Sequence, residues 1–102
     1  MKITKKKEGS TLTIALEDSL NTNTAPELEA ELEGSLEGVK DLIFDLKDLN
    51  YISSAGLRVM FATHKTMIKQ GGSMALKNIC DEIKDILDMT GFGQVFTILD
   101  KI

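Results

Sequence analysis

Two adjacent hydroxyls, Ser53 and Ser54, are followed by Ala55 and Gly56 and stand between an apolar stretch and an amphipathic one. Leu42, Ile43, Phe44 and Leu46 precede them as a short strand-like segment. After them, residues 57, 60, 61, 64, 67 and 68 repeat at the spacing of one buried helix face. The pair therefore sits at or near a helix N-terminus, where backbone N–H groups lack partners and the helix dipole favours negative charge. Several chemistries suit such a place. A serine hydroxyl can cap the helix by accepting from an N–H two or three residues on, a contribution of about 1 kcal/mol. It can act as a nucleophile, which requires a base oriented by a third group. The one histidine, His64, lies two to three turns along the same helix on its buried face, and no G-x-S-x-G elbow surrounds the serines. It can belong to a phosphate cradle, but one glycine with no lysine after it is not a P-loop. It can accept a phosphoryl group, since free N–H groups meet a phosphate at a helix start and the fold survives. The residue types weigh against nucleophile and cradle; capping and phosphorylation stay open.

Little else in the chain could do chemistry. One cysteine, Cys80, excludes an internal disulfide and suits a reducing cytoplasm. One His and one Cys, far apart, give no metal-ligand cluster, so neither a metal nor another cofactor is expected. Twelve Lys and Arg against sixteen Asp and Glu leave a net charge of −4, with Arg58 the sole arginine, which argues against nucleic-acid binding. No apolar run nears the roughly 18 residues of a membrane span. Met1-Lys-Ile-Thr-Lys-Lys-Lys7 is not followed by the apolar segment of a secretory signal. An apolar share of 42% and a charged share of 27% fit an ordinary folded domain, and residues 1–102 make one such unit.

The elements that must position the serines follow from patterning. Residues 2–7 read as a strand whose Lys5, Lys6 and Lys7 discourage edge pairing rather than bind a partner. After a turn at 8–10, Thr11–Leu16 alternates with Leu12, Ile14 and Leu16 on one face, completing a hairpin. Residues 18–23 read as a polar loop. Thr24 and Glu27 have the spacing of a capping box, and Pro26 is tolerated in that first turn. Ala25, Leu28, Leu32 and Leu36 form the buried stripe of the first helix, Gly38 stops it, and its glutamates form a solvated face. Asp41–Leu46 reads as a central strand buried on both faces. The junction helix runs from about Ser54 to Gln70, and Ser73–Lys77 is a short strand. Residues 81–89 form a helix with Ile83, Ile86 and Leu87 inward, and 95–99 the last strand. The order β-β-α-β-α-β-α-β predicts an α/β fold with a small mixed sheet: an antiparallel hairpin followed by parallel crossovers.

Asp45-Leu46, Leu49 and Tyr51-Ile52-Ser53-Ser54-Ala55-Gly56-Leu57-Arg58-Val59 resemble the signature of anti-sigma factor antagonists, the STAS domain family. Leu20-Asn-Thr-Asn-Thr-Ala25 resembles that family's loop before the first helix, and Gly71-Gly72 and Met89-Thr-Gly-Phe92 fall where it has similar residues. The resemblance implies a single STAS-like domain with helices mainly on one side of the sheet. It implies no enzyme but a cytoplasmic regulator of bacterial partner switching; a monomer is expected because no large apolar surface stripe is apparent in the sequence. The unphosphorylated protein would bind an anti-sigma factor that is also a serine kinase, and so free the sigma factor. Phosphorylation would end that binding, and a PP2C-type serine phosphatase would reset it. The alternative is a STAS-type scaffold subunit of a transport or signalling complex. The family's acceptor falls on Ser54, with Ser53 as a second hydroxyl where the family often has an acid; Asn21 stands where it often has Asp. The expected contact surface comprises Asn21, Thr22 and Asn23 in the loop and Ser53, Ser54, Ala55, Gly56, Leu57 and Arg58 at the helix start.

Overall fold

The computed structural model describes residues 1–99. Strands β1 (Ile3–Glu8) and β2 (Thr11–Leu20) form the hairpin, turned by Gly9 at φ +61°. Helix α1 (Ala25–Leu32), strand β3 (Asp41–Ile52), helix α2 (Ser54–Lys69), strand β4 (Ser73–Lys77) and helix α3 (Asp81–Thr90) follow. A 3-10 turn at Phe92–Gln94 leads to strand β5 (Thr97–Ile98). The sheet order is β1-β2-β3-β4-β5, antiparallel for the first pair and parallel thereafter.

Register places Leu12, Leu42 and Met74 in one row across the sheet and Ile14, Phe44 and Leu76 in the next. All six are buried. Leu28 and Leu32 of α1, Leu57, Met60 and Met67 of α2, and Ile83 and Leu87 of α3 join them in one core cluster. The opposite sheet face carries Thr13 and Ile43, both half-buried, then Ala75 and the exposed Thr97. β3 is central as its apolar run implies, but its burial is one-sided. Residues 42, 44 and 46 go inward because successive strand side chains point to opposite faces.

Several boundaries differ from the sequence reading, each for a local reason. β2 does not end at Leu16: it continues through two register shifts to Leu20, with Asp18 at φ +73°. β3 likewise runs past Leu46 to Ile52, and its buried residues become Leu46, Leu49 and Ile52 as the shifts break the alternation. α1 stops at Leu32, with Gly34 at φ +76°, so Leu36 lies beyond the helix, where it is half-buried. The capping box does not form. The Thr24 hydroxyl instead accepts from the Asn21 N–H at 2.7 Å and donates to the Ser19 carbonyl at 2.9 Å. On α2 the buried set is Gly56, Leu57, Met60, Thr63 and Met67. Thr63 is accommodated by donating to the Val59 carbonyl at 2.8 Å, while Ile68 is 56% exposed. Ile86 is only half-buried, and β5 shrinks to two residues because the chain from Phe92 to Phe96 is taken up by the 3-10 turn and its exit.

β1 is held to the helical layer by Lys5, whose ammonium meets Glu31 of α1 at 2.9 Å. The α2–β4 turn presses on the start of β3. A Cβ on Gly72 would lie 2.5 Å from the Lys40 carbonyl oxygen, a backbone atom fixed by its bond from the Ser73 N–H at 2.8 Å. Gly72→Ala is therefore expected to destabilise the domain by about 1–3 kcal/mol, read as a lower urea midpoint at unchanged slope.

Candidate functional site

The junction is built by the ends of two parallel strands. Leu20 and Ile52 are register partners at the C-terminal ends of β2 and β3. The next residue, Ser53, has extended backbone (φ −87°, ψ 173°), and its N–H donates to the Leu20 carbonyl at 2.8 Å. Its hydroxyl accepts from the Gly56 N–H at 3.2 Å, and its carbonyl accepts the first helical bond, from Leu57, at 2.9 Å. Ser53 is the N-cap of α2, half-buried, with its hydroxyl oxygen engaged by the Gly56 N–H.

Ser54 is different. It is the first residue of α2, exposed, and its hydroxyl makes no hydrogen bond among the described residues. The two serines thus divide the two chemistries that the sequence leaves open. Gly56 permits the arrangement by close approach. A Cβ there would sit 2.6 Å from Leu20 Cγ and 3.0 Å from the Leu20 carbonyl oxygen, so the helix start lies flat on the end of β2.

The neighbouring loop is pinned from within. Asn21 Oδ1 accepts from the N–H groups of Asn23 at 2.9 Å and Thr24 at 3.0 Å, an Asx turn. Its Nδ2 donates to the Ser19 hydroxyl at 3.2 Å. The Asn21 side chain is therefore spent on loop shape, whereas Thr22 and Asn23 are exposed. Of the helix residues expected at the surface, Gly56 and Leu57 face the core, Leu57 being 3% exposed. What remains outward at this end is Thr22, Asn23, Ser54 and Arg58, with Ala55 half-buried between them. Sequence reasoning overlooked two neighbours. Tyr51, 48% exposed, flanks the junction on β3, and Glu29 shares a surface cavity of about 280 Å³ with Thr22, Ala55 and Arg58. The outward place of Tyr51 follows from its alternation with buried Ile52; Glu29 follows buried Leu28 on α1 and lines the same cavity as Arg58 of α2.

Among the described residues no base hydrogen-bonds to Ser54. His64 lies ten residues along α2, about 15 Å away by helical rise, between the rings of Phe61 (6.5 Å) and Phe96 (5.9 Å). Among the described residues there is no cluster of three His, Cys, Asp or Glu able to hold a metal. Glu82 lies in the first turn of α3. Its carboxyl is held below the usual range by its own backbone N–H and then by the Cys80 thiol. No helix among the described residues is long and apolar enough to cross a membrane.

A five-stranded mixed sheet with three α-helices, and a serine pair at the β3–α2 turn of which Ser53 is the cap, defines a small α/β domain. The family model of the STAS domain matches residues 2–102, and the chain belongs to that family. BtrV of Bordetella bronchiseptica is 32% identical over 102 residues, covering 99% of this chain and 88% of that protein. The anti-sigma-B factor antagonist of Bacillus subtilis is 31% identical over 96 residues, 94% and 88% of the two chains. The Bacillus protein SpoIIAA shares the fold at 15% identity, with 99% of this chain covered in both cases. The TM-score is 0.85 to its unphosphorylated form, 89% covered, and 0.77 to its phosphorylated form, 92% covered.

Ser53→Ala is expected to remove the cap and lower stability by about 1 kcal/mol. Ser54→Ala, which removes an exposed and unbonded hydroxyl, is expected to leave stability within about 0.5 kcal/mol of the parent. Paired thermal or urea melts check both.

Proposed function

We propose that this chain is an anti-sigma factor antagonist of a partner-switching system and that Ser54 is its phosphate acceptor. The observation that carries this reading is the division of the serine pair: Ser53 is committed to the cap, and Ser54 stands exposed at the open end of α2 with no hydrogen bond to its hydroxyl among the described residues. The names of the B. subtilis relative and of SpoIIAA support the functional class. In this reading the protein is a cytoplasmic monomer and the substrate of an enzyme rather than one itself. Its unmodified surface binds an anti-sigma factor that is also a serine kinase. The Ser54 hydroxyl oxygen attacks the γ-phosphorus of ATP, the bond to the β–γ bridging oxygen breaks, ADP leaves, and the hydroxyl proton passes to the kinase or to water. A PP2C-type phosphatase restores the hydroxyl by directing water to the phosphorus.

The switch is electrostatic. A phosphate adds about −1.5 to −2 charge at a point that the partner would desolvate. Burying such a charge without a counter-charge costs several kcal/mol, and about 4 kcal/mol corresponds to a thousandfold in affinity. The contact surface comprises Thr22, Asn23, Ser54, Ala55 and Arg58, with Asn21, Ser53, Gly56 and Leu57 shaping it from below. Titration calorimetry with the anti-sigma kinase of the same organism is expected to give Ser54→Ala wild-type affinity and Ser54→Asp a loss of two to three orders of magnitude. Wild-type affinity for the Asp variant would place the interface elsewhere.

A further inference from the structure

Arg58 is the one arginine of the chain, and the core has no use for it. It is exposed, and its guanidinium makes no ion pair among the described residues. It stands four residues after Ser54 on α2, so the two Cβ atoms are neighbours on one helical face, about 5–6 Å apart. The pair has the favoured polarity, with the group that would carry negative charge N-terminal to the cation. The first turn of α2 holds no acidic residue to compete. Glu29 of α1 lines the same cavity of about 280 Å³ as Arg58 but does not pair with it.

We propose that Arg58 is an internal clamp for a phosphate on Ser54, swinging from the cavity between α1 and α2 to make a bidentate contact with the phosphate oxygens. The clamp rests on the reading of Ser54 as the acceptor. An arginine suits the role better than a lysine because its planar fork matches two phosphate oxygens at once. The unmodified protein leaves the guanidinium at the mouth of the cavity, beside Thr22, Pro26 and Glu29, where a partner meets it. The modified protein withdraws it. Phosphorylation then changes the contact surface twice, by adding negative charge at residue 54 and by removing a positive group from the α1–α2 groove. The same contact stabilises the modified domain, which persists as a folded phosphoprotein awaiting its phosphatase.

The test uses the 102-residue chain with phosphoserine installed at position 54 during synthesis, compared with the unmodified chain, in the wild-type, R58Q and R58K backgrounds. Unmodified R58Q is expected to melt with the unmodified wild type, since Arg58 is exposed and pairs with no acid among the described residues. In the wild-type background the phosphate is expected to raise the melting temperature by about 3 °C. R58Q loses most of that gain, R58K keeps part of it, and molar salt shrinks it. By phosphorus NMR, the second ionisation of the phosphate falls at lower pH in the wild type than in R58Q. Equal phosphate effects in wild type and R58Q, in both melting and titration, would overturn the clamp. Because the phosphate is installed without a kinase, a finding that the kinase modifies a residue other than Ser54 would defeat the functional reading, while this comparison would still decide the clamp on its own terms.

Discussion

The junction depends on one hydrogen bond and the contact beneath it. The Ser53 N–H donates to the Leu20 carbonyl at 2.8 Å, and Gly56 lies against the Leu20 side chain with no room for a Cβ. Residues 20 and 53 are thereby joined across the ends of two parallel strands. The loop after Leu20 and the helix after Ser53 must then rise from the sheet side by side. Fully buried Leu20 and nearly buried Ile52 anchor the arrangement in the core. An exposed feature, the open first turn of α2, is thus fixed by some of the least exposed side chains of the chain.

The consequence is chemical as well as geometric. A helix start offers N–H groups and a favourable dipole to any anion, and the cap decides which hydroxyl is spent there. Ser53 lies with extended backbone at the strand end, so its hydroxyl falls beneath the Gly56 N–H. Ser54 already lies within the helix, is exposed to solvent and caps no described N–H. The loop is rigid for a parallel reason. Asn21 and Thr24 spend their polar atoms on each other and on Ser19, so Thr22 and Asn23 are presented on a fixed turn. Both halves of the surface are therefore prearranged, which reduces the ordering cost of binding.

The framework was legible in the sequence where the period was clean. α2 and β4 follow from apolar spacing and from the glycine pair after the helix, and the hairpin follows from the alternation of Leu12, Ile14 and Leu16. Legibility failed where polar residues sit inside a strand. Asp18 adopts a left-handed backbone within β2, and Asp48 and Asn50 lie in β3, so both strands looked shorter than they are. It failed again at Thr24 and Glu27. A capping box can be written in the sequence and still not form when another donor takes the hydroxyl oxygen, here the Asn21 N–H. Of the site, the serine pair and its helix start could be read. Which serine caps could not, because that turns on the ψ of a single residue; the inward aim of Leu57 was legible in the helix period, although the resemblance had also placed that residue at the contact surface.

The central claim is the division of labour between the two serines. Its most direct measurement is phosphate localisation by peptide mass spectrometry after incubation with ATP and an anti-sigma serine kinase, on wild type, Ser53→Ala and Ser54→Ala. The account predicts one phosphate on Ser54 in the wild type, the same phosphate on Ser53→Ala, and none on Ser54→Ala. A phosphate on Ser53 in the wild type, or one retained by Ser54→Ala, would contradict it.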